Sequence, residues 1–73
     1  MPTVHSSLSP RETEVASLIG RGLTNKQIAA ALFVSERTAE NHVQHILLKL
    51  DFSNRSQIAA WSSRQAAAAP TRR

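Results

Sequence analysis

The chain has 73 residues and no cysteine, which allows one small, marginally stable domain and excludes disulfides and thiolate metal ligands as staples. No run approaches the roughly 18 consecutive apolar residues of a membrane span, and "MPTVHSSLSP" has neither the basic start nor the apolar stretch of a signal peptide, so an intracellular, cytoplasmic domain is expected. The net charge of +4 fits an anionic partner, yet without Arg72 and Arg73 in the tail it falls to +2, a balance that an ordinary solvated surface also explains.

Helix starts recur along the chain, and no segment alternates apolar and polar residues over the length a half-buried strand requires. In "SPRE", Ser9 is an N-cap, Pro10 takes the first helical position and Glu12 closes a capping box. Val15, Leu18 and Ile19 form the apolar face of this first helix. It ends at "GRGL", with Gly22 suited to a left-handed position and Leu23 folding back on Leu18. "TNKQ" repeats the capping device with Thr24 and Gln27, and Ile28, Ala29 and Leu32 give the second helix a short apolar face.

Ser35 caps a third helix over Ser35 to Leu50, "SERTAENHVQHILLKL". At about 100° per residue, Ala39, Val43, Ile46, Leu47 and Leu50 share one stripe. The opposite face carries Arg37, Asn41, Gln44 and Leu48, flanked by Thr38, Glu40 and His45. "NRSQ" opens a fourth helix with Asn54 as cap and Gln57 as its partner, followed by Ile58, Ala59, Ala60 and Trp61. The expected organisation is an all-α, four-helix domain over residues 8–64, between a flexible arm at 1–7 and a flexible tail at 65–73. "QAAAAP" has the composition to lengthen the last helix, though little to pack against.

The second and third helices fit the helix-turn-helix pattern, with small Ala29 at the close approach and Ile28, Leu32, Val34, Ala39 and Val43 between them. Phe33 stands where a turn glycine is common, and a positive φ there would strain so bulky a residue. His42 and His45 form an H-x-x-H pair, but two ligands fall short of the roughly four a structural zinc takes, and no metal or cofactor is expected. His42, at the edge of the apolar stripe, is expected to make a structural hydrogen bond. The serines lack a nucleophile-elbow context, the carboxylates are not paired, and "GRG" is too short to cradle a phosphate, so catalysis has no support.

Taken together, "LSPRETEV", "GLTNKQIA", "VSERTAENHVQHILLKL" and "NRSQ" resemble the LuxR-type (GerE-like) helix-turn-helix DNA-binding domain over about Leu8 to Trp61. Several motifs in the right order and spacing make this resemblance specific. It implies a sequence-specific DNA-binding module of a bacterial transcription regulator, with the third helix in the major groove and the second across the backbone. Asn41 and Gln44 would then pair with adenine, Arg37 would reach guanine or a phosphate, and Glu40 would either accept from cytosine or pair with Arg37 on the same helix. Thr24, Asn25, Lys26, Thr38, His45 and Lys49 are the candidates for phosphate contacts that fix register. For Thr24 and Ser35, spending the hydroxyl as a cap is the simpler role.

The chain departs from the pattern in places. Glu40 stands where many relatives carry lysine, Leu48 where they often offer a basic residue, and Asp51 where glycine usually follows "KL". Aspartate tolerates the left-handed conformation better than most residues. Leu48 is an ordinary exposed leucine or a contact for a partner domain or subunit. The resemblance also implies a homodimer through the fourth helix, with Ile58 and Trp61 as interface candidates, Trp61 being as well suited to a core. Double-stranded DNA is the expected partner, with RNA polymerase or an attached sensor domain as further ones. Two alternatives share the fold: a protein-interaction module that has lost DNA affinity, for which Glu40 and Leu48 speak, and a promoter-recognition module like the DNA-binding tail of a sigma factor.

Overall fold

The computed structural model describes residues 8–68. Four helices follow one another, α1 (Pro10–Gly20), α2 (Asn25–Leu32), α3 (Glu36–Leu50) and α4 (Arg55–Ala68), with no strand among the described residues. The arm at 1–7 and the end of the tail at 69–73 lie outside the described residues. The alanine run does continue the last helix: α4 passes position 64 and reaches Ala68, so the first part of the expected tail is helical.

Each helix start uses the side chain its sequence offers. The Ser9 hydroxyl accepts from the Glu12 amide at 3.1 Å while the Glu12 carboxylate accepts from the Ser9 amide at 3.0 Å. Thr24 and Gln27 repeat this reciprocal pair at 3.1 and 2.8 Å. At α4, Asn54 Oδ1 accepts from the Gln57 amide at 3.1 Å, and Gln57 Oε1 accepts from the Asn54 amide at 3.2 Å. Ser35 caps α3 alone, accepting from the Thr38 amide at 3.0 Å and donating its own proton to Thr38 Oγ1 at 2.9 Å. Each such cap is worth about 1 kcal/mol against alanine.

The helix ends also share a device. Leu23 donates to the Leu18 carbonyl at 3.1 Å, Val34 to Ala29 at 3.0 Å, and Phe52 to Leu47 at 2.9 Å, each closing the final turn over a left-handed residue. Those residues are Gly22 (φ 92°), Phe33 (φ 59°) and Asp51 (φ 58°). Leu23 therefore folds back on Leu18 as its sequence predicts, while Phe33 takes the strained conformation that the missing glycine threatened. Its ring gains little in exchange, being 95% exposed.

The core joins all four helices. Val15, Ala16 and Ile19 of α1 meet Ile28 and Ala29 of α2, Ala39, Val43, Ile46 and Leu50 of α3, and Ile58 of α4, with Leu8 closing one edge. Ala39 is completely buried and Ala29 nearly so, because α2 and α3 cross where only small side chains fit. Helix α1 packs mainly on α4, and the two come close at Gly20, where a Cβ would stand 2.8 Å from Ser62 Oγ. Ile58 is completely enclosed here. It is a core residue, with no surface left for the dimer contact suggested for it. Trp61 is half-buried and packs against the same core.

Candidate nucleic-acid interface

Helix α3 divides its residues as the periodicity predicts. Ala39, Val43, Ile46 and Leu50 are buried and Leu47 half-buried, while Arg37, Glu40, Asn41, Gln44 and Leu48 all lie exposed. The exposed set follows i, i+4, i+7 and i+11 spacing from Arg37 through Asn41 and Gln44 to Leu48, so it forms one stripe along the helix. Fifteen residues make a rod about 22 Å long at 1.5 Å per residue, a size the major groove admits.

The polar groups of this stripe are unspent. Among the described residues, no hydrogen bond or ion pair engages the side chains of Arg37, Glu40, Asn41 or Gln44. Arg37 and Glu40 thus do not form the i, i+3 pair considered from the sequence. Apart from the half-buried Thr38, bonded to Ser35, the groups that can donate and accept on this face point to solvent. Leu48, 77% exposed, ends the stripe with an apolar patch. The ring of His42 is half-buried and has no hydrogen-bond partner among the described residues, contrary to the structural bond expected of it. Nor does a third candidate ligand join any two of the histidines and carboxylates into a metal cluster among those residues.

A second group of candidates gathers at the start of α2. Thr24 is spent as a cap, its hydroxyl on the Gln27 amide and its carbonyl on the Ile28 amide at 2.8 Å. The amides of Asn25 and Lys26 precede the helical ladder. Lys26 is exposed, and no ion pair involves it among the described residues. Asn25 is half-buried, and its Oδ1 accepts from Arg55 Nη1 at 2.6 Å. The first turns of α1 and α3 carry Glu12 and Glu36 beside Arg11 and Arg37, whereas those of α2 and α4 contain no acid and carry Lys26 and Arg55. A cation in the first turn works against the helix dipole, and an anion seated there reverses that penalty.

The third group, exposed itself, lies against a buried carboxylate. Lys49 Nζ donates to Glu12 Oε1 at 2.8 Å, and His45 Nδ1 lies 3.8 Å from Glu12 Oε2. Glu12 is only 5% exposed. Burial pushes its carboxyl up, but the bond from Lys49, the bond from the Ser9 amide and the charge of Lys49 together outweigh that, leaving it below the ordinary value of 4.5. Lys49, proposed from the sequence as a phosphate contact, is therefore already engaged by a buried carboxylate, and any phosphate must compete with it. The sequence had shown Glu12 only as a capping partner and Arg55 only as part of "NRSQ". Nothing local reveals the tie from Glu12 to α3, while the first turn of α4, with a cation and no acid beside it, was a usable signal for Arg55.

A capped, three-residue turn between α2 and α3, a supporting α1 and a long polar-faced α3 define a helix-turn-helix domain of the four-helix kind. Residues 6–62 match the family GerE, bacterial regulatory proteins, luxR family, and the chain belongs to that family of transcription-regulator DNA-binding domains. It is 45% identical over 60 residues to the transcriptional regulatory protein LiaR of Bacillus subtilis, a match covering 82% of this chain and 28% of LiaR. With the transcriptional regulatory protein LnrK of the same organism the identity is 46% over 57 residues, 78% of this chain and 26% of LnrK. With the nitrate/nitrite response regulator protein NarL of Escherichia coli K12 it is 41% over 56 residues, 77% of this chain and 26% of NarL. The match thus spans about a quarter of the length of these relatives.

Proposed function

We propose that this chain is a sequence-reading module for double-stranded DNA, with α3 in the major groove and the start of α2 against the phosphate backbone. The observation that carries this is the exposed stripe of Arg37, Glu40, Asn41 and Gln44, whose hydrogen-bonding groups are unspent among the described residues, on a helix whose other face is core. Amides suit adenine, a guanidinium suits guanine, and a carboxylate suits the amino group of cytosine. The unpaired Arg37 and Glu40 favour independent base contacts over a pair formed within the helix. Lys26, Asn25 and Thr38 are the positioning contacts in this reading. His45 and Lys49 contribute only where a phosphate displaces or shares Glu12.

One such unit reads about half a helical turn, so specific binding calls for two half-sites and a homodimer. Because Ile58 is core, the surface of α4 left for a twin subunit is its outer side, with Ser56, Ala60, Ser63 and Arg64, and the exposed part of Trp61 at its margin. In a longer regulator, a sensor domain would supply the signal and RNA polymerase the output.

The test is a selection from random duplexes of roughly two helical turns, followed by sequencing. Enrichment of an inverted repeat is the expected result. Retention without enrichment would leave phosphate binding alone. No retention even at low salt, where electrostatic binding is strongest, would overturn the reading in favour of a protein-interaction module, for which exposed Phe33 and Leu48 supply the apolar surface.

A further inference from the structure

Arg55 makes the longest-range polar tie at the phosphate-facing end of the domain. Its Nη1 donates to Asn25 Oδ1 and its Nη2 to the Leu23 carbonyl, both at 2.6 Å. Helices α2 and α4 do not pack directly on each other, so this side chain is what spans from the first residue of α4 to the first residue of α2. Leu23 is also the residue that closes the end of α1. One guanidinium therefore fixes the α1–α2 connection and the side chain of Asn25 together.

The chemistry of the two partners decides how Asn25 is turned. A guanidinium has donors and no acceptor, so the Asn25 amide must present its oxygen to Arg55. The amide is planar, and its nitrogen then points away from Arg55 with both protons still to donate. Resting on the reading of α2 as the backbone-contacting helix, we infer that Arg55 is a positioning residue for DNA binding: it turns the Asn25 Nδ2 protons outward toward a phosphate and holds them beside the free amides at the start of α2. Arg55 itself stays behind Asn25 and does not touch the DNA.

The test measures binding of a labelled mixed-sequence duplex of about 20 base pairs, roughly two helical turns, across a range of salt. The proteins compared are wild type, Arg55→Met, Asn25→Ala and the double variant, with thermal melting of each. Arg55→Met and Asn25→Ala should each weaken binding about three- to tenfold, the span of one hydrogen bond's net worth. The double variant should lose no more than Asn25→Ala alone, and the salt slope should stay as in wild type because Asn25 is neutral. Additive losses with a slope reduced by about 0.9 would mean that Arg55 meets a phosphate directly, overturning the inference. A lower melting temperature with unchanged affinity would make the tie purely structural and overturn it too. Should Arg55→Met not fold, the side-chain amide signals of Asn25 in wild type decide: they must shift on adding duplex, and their standing still refutes the inference. Failure of the wild-type protein to bind any duplex would instead remove the DNA-binding reading itself.

Discussion

Phe33 and Asp51 occupy backbone positions that suit glycine, and each tolerates it for a different reason. Asp51 has a short polar side chain of the kind that visits the left-handed region readily; Phe33 does not, and its ring is almost wholly in solvent. Phe33→Gly should therefore raise stability, by about 0.5–1 kcal/mol once the extra freedom of glycine in the unfolded chain is counted. Denaturant unfolding checks this, and Asp51→Gly should give a smaller gain. Glu12 is the opposite case, a buried charge held by specific partners. Its folded value lies below the ordinary 4.5, so the ionised form is the one the fold prefers. Its contribution is complete above about pH 4.5 and drains away as pH falls through the lower folded value. Glu12→Gln keeps the capping geometry and loses the charge. It should cost about 1–2 kcal/mol at neutral pH, allowing for screening at the half-exposed Lys49, and flatten the acid limb of the stability profile.

At the scale of elements, the close contact between α1 and α4 depends on a missing side chain. A Cβ on Gly20 would lie 2.9 Å from Ser62 Cβ, a separation that side chains do not accept without movement. Gly20→Ala should therefore destabilise by about 1 kcal/mol despite its better helix propensity, because overpacking outweighs propensity at a helix end. Adding Ser62→Gly moves the gap to the other helix and should recover most of the loss, which chemical denaturation of the single and double variants measures. The capping pairs Ser9–Glu12, Thr24–Gln27 and Asn54–Gln57 were legible in the sequence because each joins residues three apart within one turn. The two faces of α3 were legible for a similar reason, since periodicity alone separates them. The ties from Glu12 to Lys49 and from Arg55 to Asn25 were not, because they depend on how whole helices cross. Ile58 was ambiguous for the same cause: an isoleucine on a short helix announces burial, while the partner that buries it is set by the packing of the other helices. The end of α4 falls at Ala68, beyond the expected limit at 64, because alanine favours helix without deciding whether packing sustains one.

For the whole molecule, the proposed reading puts base readout on α3 and most of the backbone anchoring at the start of α2, so the two should separate in experiment. Asn41→Ala or Gln44→Ala should cost about 1–3 kcal/mol on a selected duplex and relax preference at one position, with little effect on mixed-sequence DNA. Lys26→Ala should weaken binding to all sequences alike and lower the salt slope by about 1, which a salt titration of both duplexes reads directly. Both expectations rest on α3 and α2 being held at a fixed angle by the core beneath them. That core is assembled unevenly along the chain. The α2–α3 pair is built from neighbours in sequence, whereas α1 finds its largest interface in α4, the helix farthest from it in sequence among the four described. During synthesis, then, a nascent chain that has released α3 already carries the α2–α3 pair, yet α1 stands without its main cover. The fold closes only when Ile58 and Ser62 leave the ribosome, and until then the apolar side of α1 is open to chaperones.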